Sequence, residues 1–282
     1  CANRLRAFSY WRLEQTVFRL NLQQSTNMEV PFQGGNIRYK VAGQGPAIVL
    51  IHGFMENARI WRPFLERLSS KFRVIRINLP GHGKSDILAP EHSMELMADA
   101  VHAVLEQEKI PKAMLVGHSM GGYVSLAFAE KYPARLSALV MFSSSCFADT
   151  AEKQSDRDRS VAAVEAHKMK YITSVIPNLF FERSGVKASK RIYKLVKIAA
   201  KQPKEGIVAA LRGMKNRPGR SDVLRNLKCP LLILAGHDDF LIPLERSEEM
   251  AKLNPKAQFV VLDDCGHVGF IEQKKASLRA IQ

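Results

Sequence analysis

The run Gly117-His118-Ser119-Met120-Gly121-Gly122 is the part of this chain best suited to chemistry. It has the form G-x-S-x-G and stands between an apolar stretch, residues 113–116, and a helix-forming one, residues 121–131. In that context the serine occupies a sharp strand-to-helix turn that lifts its hydroxyl above a sheet edge. The neighbours two before and two after it must be small, which accounts for Gly117 and Gly121. A serine hydroxyl is a weak nucleophile near neutral pH, so it needs a base.

The chain has eight histidines. His118 adjoins Ser119, and its ring is expected to point away across the turn. His52 and His82 sit in Gly-flanked turns where a structural hydrogen bond is the simpler reading, and His92, His102 and His167 fall on helical or surface stretches. His267 follows the last apolar run in Asp263-Asp264-Cys265-Gly266-His267, at the strand end where Ser119 should emerge, and is the expected base. An imidazole base needs a carboxylate to fix its tautomer. Residues 231–235 lead into Gly236-His237-Asp238-Asp239, and the order Ser, Asp, His makes Asp239 the first choice. Asp238 is the alternative, with the loop carboxylates Asp263 and Asp264 behind it. Two backbone amides are expected to hold an oxyanion. One belongs to Met120, after the nucleophile, and one to Phe54, in His52-Gly53-Phe54-Met55.

Short apolar runs alternate with amphipathic stretches along residues 47–142. Strands are expected at 47–51, 73–78, 113–116 and 136–142, and helices at 60–69, 93–108 and 121–131, with Ser93 as an N-cap. A hairpin over 29–42, turned at Gly34-Gly35, precedes them. Such alternation implies an α/β fold, a mainly parallel sheet covered on both faces. From about 147 to 228 strand patterns vanish and helices are expected at 160–173, 188–201 and 206–215. Strands at 231–235 and 258–262 and helices at 244–253 and from about 270 complete the chain. The organisation expected is an N-terminal extension (1–27), a core in two pieces (28–146 and 229–282) and a helical insertion (147–228).

Of 282 residues, 46% are hydrophobic and 24% charged, a balance that excludes disordered, collagen-like and disulfide-scaffold classes. No run approaches the ~18 apolar residues of a membrane-spanning helix. The net charge is +15, and residues 147–228 alone hold 19 basic and 8 acidic side chains. Such runs are usually solvated faces, and attraction of anionic ligands or surfaces is the functional alternative. No nucleic-acid motif accompanies the charge. The four cysteines at 1, 146, 229 and 265 lack CxxC spacing, so no metal site is expected, and free thiols indicate a reducing, cytoplasmic setting. A lipid-anchored Cys1 is the alternative. Residues 4–22 carry an amphipathic helical pattern suited to packing on the domain or to peripheral membrane contact, as is the basic insertion.

Taken together, His52-Gly53-Phe54, Asn78-Leu79-Pro80-Gly81-His82-Gly83-Lys84-Ser85, the Ser119 run, Gly236-His237-Asp238-Asp239 with Pro243, and Gly266-His267 resemble the α/β-hydrolase superfamily over residues 29–282. The resemblance implies an eight-stranded, mostly parallel sheet and a cap, or lid, at 147–228. It carries the family acid onto Asp239, four before Pro243, and implies a Ser119–His267–Asp239 triad needing neither cofactor nor metal. Dehalogenases and epoxide hydrolases of the superfamily use an aspartate nucleophile, and lipases with an HGGG oxyanion motif do not fit His52-Gly53-Phe54-Met55. The expectation is a serine hydrolase of small carboxylic esters, working through an acyl-enzyme. The alternatives are a carbon–carbon hydrolase of ring-cleavage products and, in another class, a non-catalytic ligand receptor.

Overall fold

In the computed structural model, residues 25–181 and 185–282 are described. The amphipathic pattern over 4–22 and Cys1 lie outside them. The chain opens with an antiparallel hairpin, β1 (Thr26–Phe32) and β2 (Gly35–Ala42). Its turn is Gln33-Gly34, with φ of 45° and 81°, so the turn falls one residue earlier than the glycine pair suggested. Two successive positive φ angles match the right-handed twist of the flanking strands.

The parallel part follows, with β3 (Ala47–Ile51), β4 (Arg73–Ile77), β5 (Ala113–His118), β6 (Leu136–Phe142), β7 (Leu231–Gly236) and β8 (Gln258–Leu262). The eight strands form one sheet in the order β1-β2-β4-β3-β5-β6-β7-β8, parallel from β4 through β8. All residues of β3 and β7 are buried, as continuous apolar runs in a doubly covered sheet require.

Helices α1 (Leu65–Ser69), α2 (Met94–Gln107) and α3 (Met120–Lys131) connect the first strands. The helix expected over 60–69 is instead a 3₁₀ segment, Ala58–Phe64, running into the short α1. Pro63 lies inside it and can donate no hydrogen bond to a longer α-helix. Ser93 caps α2 as expected, its Oγ accepting the Leu96 N–H at 3.1 Å.

Between β6 and β7 the chain is helical, with α4 (Ala151–Val175), α5 (Gly185–Ala199), α6 (Lys204–Asn216) and the unanticipated α7 (Ser221–Arg225). Helix α4 starts nine residues earlier than its apolar pattern. It is capped by Thr150, whose Oγ1 accepts the Lys153 N–H, and it is kinked at His167, where φ and ψ are −148° and 71°. Three helices close the fold: α8 (Leu244–Leu253), α9 (Gly269–Glu272) and α10 (Lys274–Ile281). Helices α2, α3, α7 and α8 form one covering layer, and the 3₁₀ segment, α1, α9 and α10 form the other. Among the described residues no helix is long and apolar enough to cross a membrane.

The core is continuous across both layers. One aromatic cluster bears on function: Trp61, Phe142 and Phe270 lie within 5.8–6.4 Å of one another, centre to centre, at the C-terminal edge of the sheet.

Candidate active site

Four loops converge at the C-terminal edge of the parallel strands. After β5 the chain turns at Ser119, where φ is 51° and ψ is −117°. For a residue with a Cβ this backbone costs about 1–3 kcal/mol and persists only when its surroundings enforce it. The enforcement is visible. A Cβ on Gly117 would lie 2.3 Å from the Gly121 carbonyl oxygen, and one on Gly121 would lie 2.4 Å from that of Ile51. The Ser119 N–H donates to the Phe142 carbonyl at 2.9 Å, while the Ser144 hydroxyl donates to the Ser119 carbonyl at 2.8 Å. Both partners come from the end of β6, so the neighbouring strand holds the turn in place.

The loops after β7 and β8 bring Asp239 and His267 together, as their order implied. Nδ1 of His267 donates to Asp239 Oδ2 at 2.8 Å, and the two residues are 3% and 4% exposed. The other carboxylate oxygen accepts the amides of Leu241 (2.9 Å) and Ile242 (3.0 Å), which sets the orientation of the group. Asp238 is instead partly exposed beside His237. Asp263 and Asp264 are exposed, so neither alternative acid shares the His267 contact.

His118, next to the nucleophile, is held in contacts of its own. Buried between the rings of Phe142 and Phe270, it donates through Nε2 to the His267 carbonyl at 2.9 Å and lies 3.1 Å through Nδ1 from Glu56 Oε2. Its ring centre is 5.0 Å from that of His267. Burial opposes its charge, but the Glu56 carboxylate, with the His267 carbonyl and Asp239 adding to it, raises its pKa above the usual histidine value. Glu56 was not singled out from the sequence.

The loop after β3 approaches the same turn. A Cβ on Gly53 would lie 3.2 Å from Ser119 Cβ and 2.7 Å from His118 Nδ1, so only glycine brings this backbone so close. Phe54, half-buried, is the next residue, and Met120 opens α3 with its side chain buried. His52 and His82 are structural, as expected. His52 donates to the Gly53 carbonyl and accepts the Leu79 amide, and His82 donates to the Pro80 carbonyl. His92 is a correction, because it is fully buried and accepts the Leu88 amide.

Comparisons with known proteins place the fold among its relatives. The family model described as alpha/beta hydrolase fold matches residues 46–274. A thermophilic esterase from Thermogutta terrifontis superposes with a TM-score of 0.85 at 34% identity, covering 92% of this chain and 96% of that one. An enol-lactonase from Burkholderia xenovorans LB400 superposes at 0.82 with 22% identity, covering 90% and 98%, a likeness of fold. In sequence, the pimeloyl-[acyl-carrier protein] methyl ester esterase of Methylococcus capsulatus is 29% identical over 249 residues, 86% of this chain and 95% of that protein. With its sheet order, its strained serine turn and a family match spanning most of its length, the chain belongs to the α/β-hydrolase fold family.

Proposed function

We propose that the protein is a serine esterase that cleaves carboxylic esters through an acyl-enzyme. Asp239 engages Nδ1 of His267, which leaves Nε2 as the nitrogen that takes the Ser119 proton. Ser119 Oγ attacks the ester carbonyl, and the amides of Phe54 and Met120 hold the tetrahedral oxyanion, each donor contributing about 3 kcal/mol to the barrier reduction. His267 then protonates the leaving alcohol, and a water activated by the same ring releases the acid. The helical insertion between β6 and β7 serves as the cap that selects the acyl and alcohol groups.

The reading is supported by the buried Asp239–His267 hydrogen bond, together with the positive φ of the Ser119 turn. The esterase names of the Thermogutta and Methylococcus relatives favour an ester over a carbon–carbon bond. The same buried pair favours an enzyme over a ligand receptor, which has no need of an imidazole fixed in one tautomer. The test is turnover of p-nitrophenyl butyrate and of a chromogenic ring-cleavage product by the parent and by Ser119→Ala. The ester should be consumed with an initial burst, the ring-cleavage product left intact, and the variant folded and inactive. Equal ester turnover by the variant overturns the reading.

A further inference from the structure

Three loops meet at one buried pair of side chains that the mechanism above leaves unused. Glu56 and His118 are 2% and 1% exposed. One carboxylate oxygen, Glu56 Oε2, accepts the Gly53 amide at 2.7 Å and faces His118 Nδ1 at 3.1 Å. The other ring nitrogen lies 2.9 Å from the His267 carbonyl, which can only accept. With the Glu56 carboxyl ionised, both ring nitrogens face acceptors, and the imidazole that satisfies both carries two protons.

Each partner belongs to a different part of the reacting centre. Gly53 forms the peptide that ends in the Phe54 amide, His118 precedes Ser119, and the third contact is the backbone of His267 itself. The groups facing His118 are Glu56, Asp239, the His267 carbonyl and the rings of His267, 5.0 Å away centre to centre, and His52, with the Phe142 and Phe270 rings closing the sides. Of these, the carboxylates and the carbonyl favour the charged ring, and His52 opposes it.

We propose that Glu56 and His118 are positioning residues, a buried carboxylate–imidazolium pair that ties the Phe54 loop, the nucleophile turn and the His267 loop into one frame. The inference rests on the reading of Ser119, His267 and Phe54 as the reacting groups. Through this frame the oxyanion donor and the base share one support, so a shift in either loop is passed to the other. Misplacement of reacting groups by about 1 Å costs on the order of 100-fold in rate, and the loss should fall on kcat.

The test has two arms. Histidine ¹⁵N NMR of the parent and of Ser119→Ala, with His118 assigned by its disappearance in His118→Asn, should show a doubly protonated His118 ring through neutral pH. In Glu56→Gln the same ring should be neutral at pH 7.5. Kinetically, Glu56→Gln should lower kcat on p-nitrophenyl butyrate by about 100-fold with KM within about threefold of the parent. A parent His118 that is neutral at pH 6, or a folded Glu56→Gln protein with parental kcat, overturns the proposal. If Glu56→Gln does not fold, the NMR of the parent and the kcat of His118→Asn decide in its place. Undiminished activity of Ser119→Ala would instead remove the catalytic reading while leaving the NMR result on the pair intact.

Discussion

Asp239 has both carboxylate oxygens committed, one to His267 Nδ1 and one to the Leu241 and Ile242 amides. An asparagine here would keep its carbonyl on the two amides and turn its NH₂ toward the ring. Nδ1 would then have to accept, the proton would move to Nε2, and the ring could no longer take one from Ser119. Asp239→Asn should therefore lower kcat by about 10³- to 10⁴-fold with little change in thermal midpoint, read from p-nitrophenyl butyrate kinetics and a melting curve. A loss under tenfold would contradict the assignment of the acid. Ser119 was legible because its turn demands small neighbours, and His267 from its place after the last strand, while the proline four after Asp239 counted only through the family resemblance. Glu56 was not legible. It is 62 positions from His118, and nothing in Met55-Glu56-Asn57 signals a partner.

At the level of elements, the helical insertion is fastened where it leaves and re-enters the core. Arg217, after α6, pairs with Asp149, before α4, at 2.8 Å and donates to the Met214 and Phe147 carbonyls. Its guanidinium also lies over the Tyr123 ring at 4.0 Å. Burial opposes the Asp149 charge, but Arg217 and Arg157 outweigh it and hold the carboxyl below its usual pKa. Arg217→Met leaves Asp149 with Arg157 alone and frees the Met214 and Phe147 carbonyls, so it should destabilise the protein by about 2 kcal/mol. Urea unfolding measures the loss, and hydrogen exchange should rise first in α4 and α6. A change within about 0.5 kcal/mol would show that the pair does not fasten the insertion. Strands and core helices could be placed from the sequence because burial imposes a clear period on them. The insertion's helices were blurred because α4 buries only Val164 and Ile172 along 25 residues, leaving little period to detect.

For the whole molecule, the charge tally of the sequence hid a distinction that the fold reveals. Part of the insertion's positive excess is internal: Arg217 and Arg220 are buried and paired, Arg220 with Glu95 and Glu130. The buried histidines make a second global statement. Burial depresses His82 and His92 from 6.5 to about 4, and it depresses His52 as well. Between the folded and unfolded values the unfolded chain binds more protons, so stability falls as pH drops below about 6.5. A full shift of this size corresponds to roughly 3 kcal/mol per group. His118 acts in the opposite sense, since its raised pKa contributes stability at low pH that is lost above the folded value. With four histidines depressed, His102 among them, against one raised, the urea midpoint should fall steadily from pH 6.5 to 4.5, and His82→Gln should flatten the slope. A midpoint unchanged across that range would contradict the burial argument.

The account stands or falls on Ser119 as the attacking group. Treatment with a fluorophosphonate, followed by peptide mass spectrometry, reads this directly. A single adduct on the peptide bearing Ser119, formed in step with loss of esterase activity and strongly slowed in His267→Ala, is the predicted result. Persistent ester hydrolysis with Ser119 unmodified, or an adduct on another residue that accounts for the lost activity, would contradict it.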